Sequence, residues 1–261
     1  MEDALVHPLA IVDSTAAIGR GSVVEAFAIV GPGVRIGSGC RIVSHARLHS
    51  GVRIGDGVMI GHGAVIGGMP QVRDFHEPSR GKCVVLDEVR IGEYVTIHAA
   101  SSPDAETTIG ARSFLMAYAH VGHDCVLEEG VTLANAVQLG GHVSVGRHAF
   151  LGGAALIHQF CRVGELAFVA GGIPVDRDVL PWSRVIGLPA GWARMNLVGL
   201  RRAGWTSERI ARAGRWLRPI VRKGGSLEVH RGALLETGDA DAMVLDRFLG
   251  SSHRGIIRAR V

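Results

Sequence analysis

AIVDSTAAIGRGSVVEAFAIVGPGVRIGSGCRIVSHARLHSGVRIGDGVMIGHGAVI, residues 10–66, carries an aliphatic side chain at every sixth position. The series reads Val12, Ile18, Val24, Val30, Ile36, Ile42, Leu48, Ile54, Ile60 and Ile66. It resumes as Val85, Ile91 and Ile97, then runs unbroken at the same spacing from Ile109 to Val175. A period of six matches neither the 3.6 of a helix nor the alternation of a plain strand. It matches a solenoid whose six-residue unit supplies one short strand and one corner.

Two residues before each aliphatic stands a second, mostly small residue, such as Ala28, Cys40, Ala46, Ala64, Ala119, Cys125, Ala149 and Cys161. Positions two apart share one face of a strand, so both registers point into a narrow prism. The residue after the aliphatic is often glycine, as at Gly19, Gly37, Gly55, Gly92, Gly110 and Gly146, where a tight corner needs its freedom. The expected fold is an all-β solenoid, a parallel β-helix of hexapeptide repeats over residues 1–189, followed by a helical domain over 190–261.

Composition agrees. Of 261 residues 47% are hydrophobic but only 5% aromatic, as a thin core of Ile, Val, Leu and Ala requires. No apolar run approaches the ~20 residues of a membrane helix. The first residues, MEDALVHPLA, lack the basic and apolar regions of a signal peptide. Cys40, Cys83, Cys125 and Cys161 all fall in the inward register and read as small core residues. The chain is expected to be cytoplasmic.

Two interruptions break the period. Residues 68–83, GMPQVRDFHEPSRGKC, are polar with two prolines and should loop out. Residues 98–106, HAASSPDAE, keep the register but omit one aliphatic. The period ends after Val175, and from about Gly191 the pattern turns helical. The segment 191–204 is one helix candidate; another starts at Thr206 or Ser207 and runs to the Gly224–Gly225 break, and two shorter ones follow. Arg194, Arg201, Arg202, Arg209, Arg212, Arg215, Arg218, Arg222 and Lys223 cluster here against the single acid Glu208. Such a cluster suits nucleic acid, a solvated helical face, or an acidic partner.

The chemistry-bearing residues concentrate later in the repeat. Among 13 histidines, His98, His120, His123, His142, His148 and His158 all fall outside the inward registers. Three hexads close a coil of 18 residues, so Gly141 lies one coil after His123 and Gln159 one after that. His142 falls beside Asp124, and His158 in the column of Gly140 and Gly122. A histidine next to an aspartate is equipped for general-base catalysis. A glycine one coil away offers an unobstructed N–H to an oxyanion. Zinc-binding β-helix carbonic anhydrases use histidines five apart. Here His120 and His123 are three apart and His142 and His148 six, so no metal is expected.

The motifs AHVGHDC (119–125), LGGHVSVG (139–146), HQFCRVG (158–164), VTIHAAS (95–101), HPLAIVDSTAAIG (7–19) and HRGIIR (253–258) together resemble one family. It is that of the acyl-carrier-protein:UDP-N-acetylglucosamine O-acyltransferases, hexapeptide-repeat enzymes that open lipid A biosynthesis. The resemblance implies a left-handed parallel β-helix, a homotrimer with sites between subunits, and transfer of an (R)-3-hydroxyacyl chain from acyl carrier protein to the sugar 3-hydroxyl. It gives His123 as general base, Asp124 as its orienting acid and Gly141 as oxyanion donor. It places Arg73, His98, His120, His142, His158 and Gln159 around the substrate, Gly171 at the acyl-length ruler, and Asn196 and Arg202 near the nucleotide. It implies no cofactor beyond the phosphopantetheine carried by the carrier protein, no nucleic acid, and no integral membrane segment.

The chain departs from that family at the loop, where Arg73 stands for a lysine, and at Ala99–Ala100, Gly187–Leu188 and Val198. A different acceptor, such as a 3-amino sugar nucleotide, fits the same transfer residues. A silent scaffold that only binds the carrier protein is the non-enzymatic alternative.

Overall fold

The computed structural model describes residues 3–76, 80–222 and 226–259. Part of the first insertion (77–79), the Gly224–Gly225 break and Lys223 lie outside the described residues. Strands run from β1 (Leu5–Val6) to β28 (Gly191–Met195), most of them two residues long. They form three sheets of 11, 9 and 8 strands, parallel throughout except for the final pair, and up to β26 each strand pairs with one three places away in sequence. Sheet I begins with β1, sheet II with β2 (Ile11–Val12) and sheet III with β3 (Ala17–Ile18). The chain visits them in rotation, so the molecule is a parallel β-solenoid with a triangular section.

Both inward registers are where the period put them. Ile42, Leu48, Ile60, Leu115, Leu133 and Leu139 are fully buried, as are Ala28, Ala46, Val52 and Cys125 between them. The four cysteines are buried and unpaired. Burial holds the Cys83 and Cys125 thiols up at about 12 and Cys161 at about 11, so they pack as neutral groups.

Register distances show how the interruptions are absorbed. Regular coils pair residues 18 apart, as in His120↔Gln138. Across the first insertion the distance is 31, in Arg53↔Val84. Across the second it is 24, in Thr96↔His120 and Ile91↔Leu115. At the second interruption one hexad is therefore expelled from the prism as a loop, so the columns shift by six residues before residue 98, and by a further 13 (31 − 18) before the first insertion.

Past Val175, where the period ends, the solenoid continues within residues 1–189: Val179 bridges Val163, and β27 (Ser183–Ile186) pairs with β25 (Phe168–Val169) as Val169↔Val185. The last coil is shortened from 18 residues to 16, which hides it from a strict period. The candidate helix over 191–204 begins instead as β28, antiparallel to β27. Only Leu197–Arg202 is helical, as α1, with Asn196 as its N-cap. The helices α2 (Ser207–Arg222), α3 (Leu227–Leu235) and α4 (Ala240–Gly250) match the remaining candidates. Trp205 packs on Trp182 with ring centroids 5.2 Å apart, joining the tail to the last coil.

Candidate active site

The corner between sheets II and III carries residues 122–125 on one coil, 140–143 on the next and 158–161 on the third. At this corner Asp124 adopts φ 60° and His142 φ 59°, left-handed conformations that lift their side chains onto the outer surface. The Asp124 N–H donates to Thr107 Oγ1 at 2.8 Å. Its carboxylate accepts the Ser101 N–H at 3.1 and 3.2 Å and faces His123 Nδ1 at 2.6 Å. Burial opposes its ionisation, but the hydrogen bonds from His123 and Ser101 and the nearby His142 outweigh that and hold the carboxyl below its usual range.

An ionised Asp124 fixes the proton of His123 on Nδ1, leaving the Nε2 lone pair free to accept one. Nε2 is aimed at Gly141: a Cβ built there would stand only 2.5 Å from it. Only a hydrogen fits. The Gly141 carbonyl accepts from the Phe160 N–H at 3.0 Å, whereas its own N–H donates to no partner among the described residues. A base and an unobstructed donor thus share one small space, with side-chain exposures of 14% at His123 and 9% at Asp124.

His142 stands perpendicular to His123, centroids 5.0 Å apart, and stacks flat on Phe160 at 4.7 Å. Its Nε2 lies 3.6 Å from Asp124 Oδ2. His123, Asp124 and His142 together resemble a ligand set for a metal. Yet ligands on one tetrahedral zinc, with bonds of about 2.0–2.1 Å, must stand further apart than the 2.6 Å between Nδ1 and Oδ2. That contact is a hydrogen bond.

His98 and His120 lie on the outer face of sheet II, centroids 5.1 Å apart. His98 Nδ1 donates to the Met69 carbonyl at 2.6 Å, tying the first insertion to the site. His120 Nδ1 pairs with Thr96 Oγ1 at 2.8 Å. Burial lowers both imidazoles, His120 to about 4, so both are neutral near pH 7. His120 therefore titrates near 6.5 when unfolded but only near 4 when folded. The unfolded chain binds more protons in between, so stability falls as pH drops from about 6.5 to about 4. Thermal melts across that window should show a shallower decline for His120→Asn than for the natural chain; equal slopes would contradict it.

His158 and Gln159 are exposed one coil below Gly141. Arg254, from the chain's last segment, brings Nη2 to 2.9 Å from His158 Nδ1. The same nitrogen also stands 3.1 Å from the Gln159 carbonyl, so His158 Nδ1 lies between a guanidinium, which only donates, and a carbonyl, which only accepts.

Other expected site residues do not meet His123 within one chain. Arg73 is exposed on the first insertion. Gly171 sits at the corner between sheets I and II, where a Cβ would press on the Gly153 carbonyl at 2.8 Å. Asn196 is nearly buried, its amide spent on the Leu166 carbonyl (2.9 Å) and the Gly199 N–H (3.2 Å). With Arg202 it borders a pocket of about 830 Å3 on sheet I, lined also by His148, Phe150, Phe168, Arg184 and Arg194.

Sequence reasoning missed Ser101, Thr107, Phe160 and Arg254. Phe160 was legible, because it continues the column of Asp124 and His142. Ser101 was hidden by the expelled hexad, which makes its column distance to the Asp124 turn about 24 rather than 18.

The chain is similar to known proteins along most of its length. Residues 15–50 match the bacterial transferase hexapeptide family (six repeats), and residues 178–257 match the family described as UDP N-acetylglucosamine O-acyltransferase, domain 2. The chain is 40% identical over 262 residues to the acyl-(acyl-carrier-protein)–UDP-N-acetylglucosamine O-acyltransferase of Herminiimonas arsenicoxydans, covering 97% of this chain and 99% of that one. It is 41% identical over 257 residues to the enzyme of the same name from Pseudomonas putida, with the same coverage. Among solved structures, the UDP-N-acetylglucosamine acyltransferase of Bacteroides fragilis superposes with a TM-score of 0.92 at 29% identity, covering 97% of this chain and 100% of that one. That of Francisella novicida gives 0.92 at 30%, covering 97% and 94%. The chain belongs to the family of acyl-(acyl-carrier-protein)–UDP-N-acetylglucosamine O-acyltransferases.

Proposed function

We propose that this chain moves an (R)-3-hydroxyacyl group from acyl carrier protein to the 3-hydroxyl of UDP-N-acetylglucosamine, the reaction that commits the sugar to lipid A. The observation that carries this reading is His123 held by Asp124 with Nε2 over the bare backbone of Gly141. His123 Nε2 takes the proton of the sugar hydroxyl as its oxygen attacks the thioester carbonyl. The tetrahedral oxyanion accepts the Gly141 N–H. Collapse breaks the C–S bond, and the protonated His123 returns its proton to the departing phosphopantetheine thiolate. The sequence balances without a metal or a covalent enzyme intermediate.

The outward neutral imidazoles of His98 and His120, the His158 ring and the Gln159 amide supply hydrogen bonds along the groove. The sugar nucleotide also carries a diphosphate, and the cationic pocket holding Arg184, Arg194 and Arg202 suits it. That pocket lies on sheet I of one copy, whereas the His123 corner borders sheet II. A homotrimer in which sheet II of each copy faces sheet I of the next brings the two together, with Gly171 bordering the space left for the acyl chain. Arg215, Arg218 and Arg222 line up exposed along α2 and suit an acidic carrier protein, while Arg209 is paired with Asp241 at 2.9 and 2.7 Å. Among the described residues no helix is long and apolar enough to cross a membrane. Four unpaired thiols fit the reducing cytoplasm.

Incubation with a 3-hydroxyacyl carrier protein and a panel of UDP sugars, a 3-amino sugar included, tests the reading by mass spectrometry. The expected product is an O-acylated UDP-N-acetylglucosamine. An amide on the amino sugar alone would replace the acceptor, and no thioester turnover would overturn the proposal.

A further inference from the structure

The two interruptions of the repeat are hydrogen-bonded to each other beside Asp124. Both feet of the first insertion grip the second interruption. The Ala99 N–H donates to the Gly68 carbonyl at 2.9 Å, and the Gly81 N–H donates to the Ala100 carbonyl at 2.8 Å. Lys82 donates its N–H to the Ala105 carbonyl at 3.0 Å and accepts from the Ala100 N–H at 3.1 Å, so it holds both ends of the expelled hexad. The hexad closes on itself where the Ala105 N–H donates to the Ser102 carbonyl at 3.0 Å. Gly81 is what lets the two segments meet. A Cβ there would overlap the Ser102 carbonyl and stand 2.6 Å from the Ala105 carbonyl and 2.9 Å from the Ala100 Cβ. Ala99 and Ala100 are fully buried in this clasp.

The corner at Asp124 departs from the rule of the coils that follow. There the left-handed corner residue donates its N–H to the backbone one coil back: His142 to the His123 carbonyl at 2.9 Å, and Phe160 to the Gly141 carbonyl at 3.0 Å. Asp124 holds the same conformation, φ 60°, but its N–H goes to the buried Thr107 hydroxyl at 2.8 Å. The displaced chain turns a donor toward it instead, the Ser101 N–H, at 3.1 and 3.2 Å from the two carboxylate oxygens. An ionised carboxylate only accepts. Where the later corners offer an acceptor, this one offers the donor that such a group needs.

We propose that the clasp between the two interruptions is a positioning element for the His123–Asp124 pair, with the Ser101 N–H as its contact and Gly81 as the residue that seats it. This rests on the reading of His123 as the base. Asp124 Oδ2 meets both His123 Nδ1, at 2.6 Å, and the Ser101 N–H, at 3.2 Å. A shift of the hexad therefore moves the same oxygen that holds the imidazole. The first insertion is thereby tied, through backbone bonds, to the orientation of the base.

Gly81→Ala should push the hexad off Asp124 and lower kcat about 10-fold, the scale of one hydrogen bond to a charged group, with KM for UDP-N-acetylglucosamine nearly unchanged. Replacing the Ala100–Ser101 peptide by an ester, with an α-hydroxy acid at position 101, removes the N–H with little change of shape. It should cost the same factor. A double-mutant cycle separates positioning from structural support. In the Asp124→Ala background neither change should lower kcat further, because the group they act through is gone. An equal drop in that background, natural kcat in either variant, or a loss confined to KM would overturn the proposal. If Gly81→Ala fails to fold, the ester variant and its cycle decide the matter alone. Natural turnover in His123→Ala would instead overturn the reading beneath, whatever the clasp variants do.

Discussion

His123→Ala is expected to lower kcat by about 10²–10⁴-fold, the range for losing a positioned general base. The loss belongs to the chemical step, because the deleted imidazole reaches the hydroxyl proton and the remaining groove keeps its hydrogen-bonding groups. His123 lies outside both inward registers and its corner is held by the Asp124–Thr107 and Asp124–Ser101 bonds. Alanine therefore leaves melting behaviour and assembly nearly unchanged. Single-turnover acyl transfer with carrier-protein substrate separates the outcomes. A variant with natural turnover would exclude His123 as the base, and one that fails to fold would show the ring to be structural.

Gly141→Ala is the second large effect, expected to cost about 100-fold in kcat. The variant keeps the N–H that would meet an oxyanion but adds a methyl group 2.5 Å from His123 Nε2. The imidazole cannot simply retreat, because its other nitrogen is held at 2.6 Å by Asp124 and its flank is met by His142. Either the ring turns from Asp124 and loses its fixed tautomer, or the corner shifts and misaligns donor and base. Unchanged kcat with a raised KM would mean that Gly141 only borders the substrate.

Much of the fold was legible because a hexapeptide coil repeats one local rule. Every inward position is visible in the sequence as an aliphatic or its small companion, and strands of two residues leave little room for a rival register. The last coil falls inside the expected β-helix, but its register was not legible because it closes in 16 residues, so Val179 and Val185 fall off the period while still filling the prism. The helix expected from residue 191 was lost to sheet I: the open edge of β27 accepts residues 191–195 as a partner strand, and ladder hydrogen bonds outweigh helix propensity there.

The site was half visible. Adding 18 to His123 and Asp124 led to Gly141 and His142, since no insertion intervenes between those coils. The same arithmetic failed upstream of residue 98, where a hexad leaves the prism, and so Ser101 went unseen although it anchors the Asp124 carboxylate. Arg254 lies far along the chain from His158, and no periodic rule connects a tail segment to a coil it folds back upon.

The sequence by itself determined the coil, its core and the neighbourhood of the His123–Asp124 pair, because those depend on spacing within a repeat and are enforced by burial at every turn. The tertiary structure alone decided the tautomer of His123, the neutral state of His120, and the separation of the Arg184, Arg194 and Arg202 pocket from His123 on different faces. Those depend on which groups touch across loops, sheets and tail, and contacts of that kind leave no period to read.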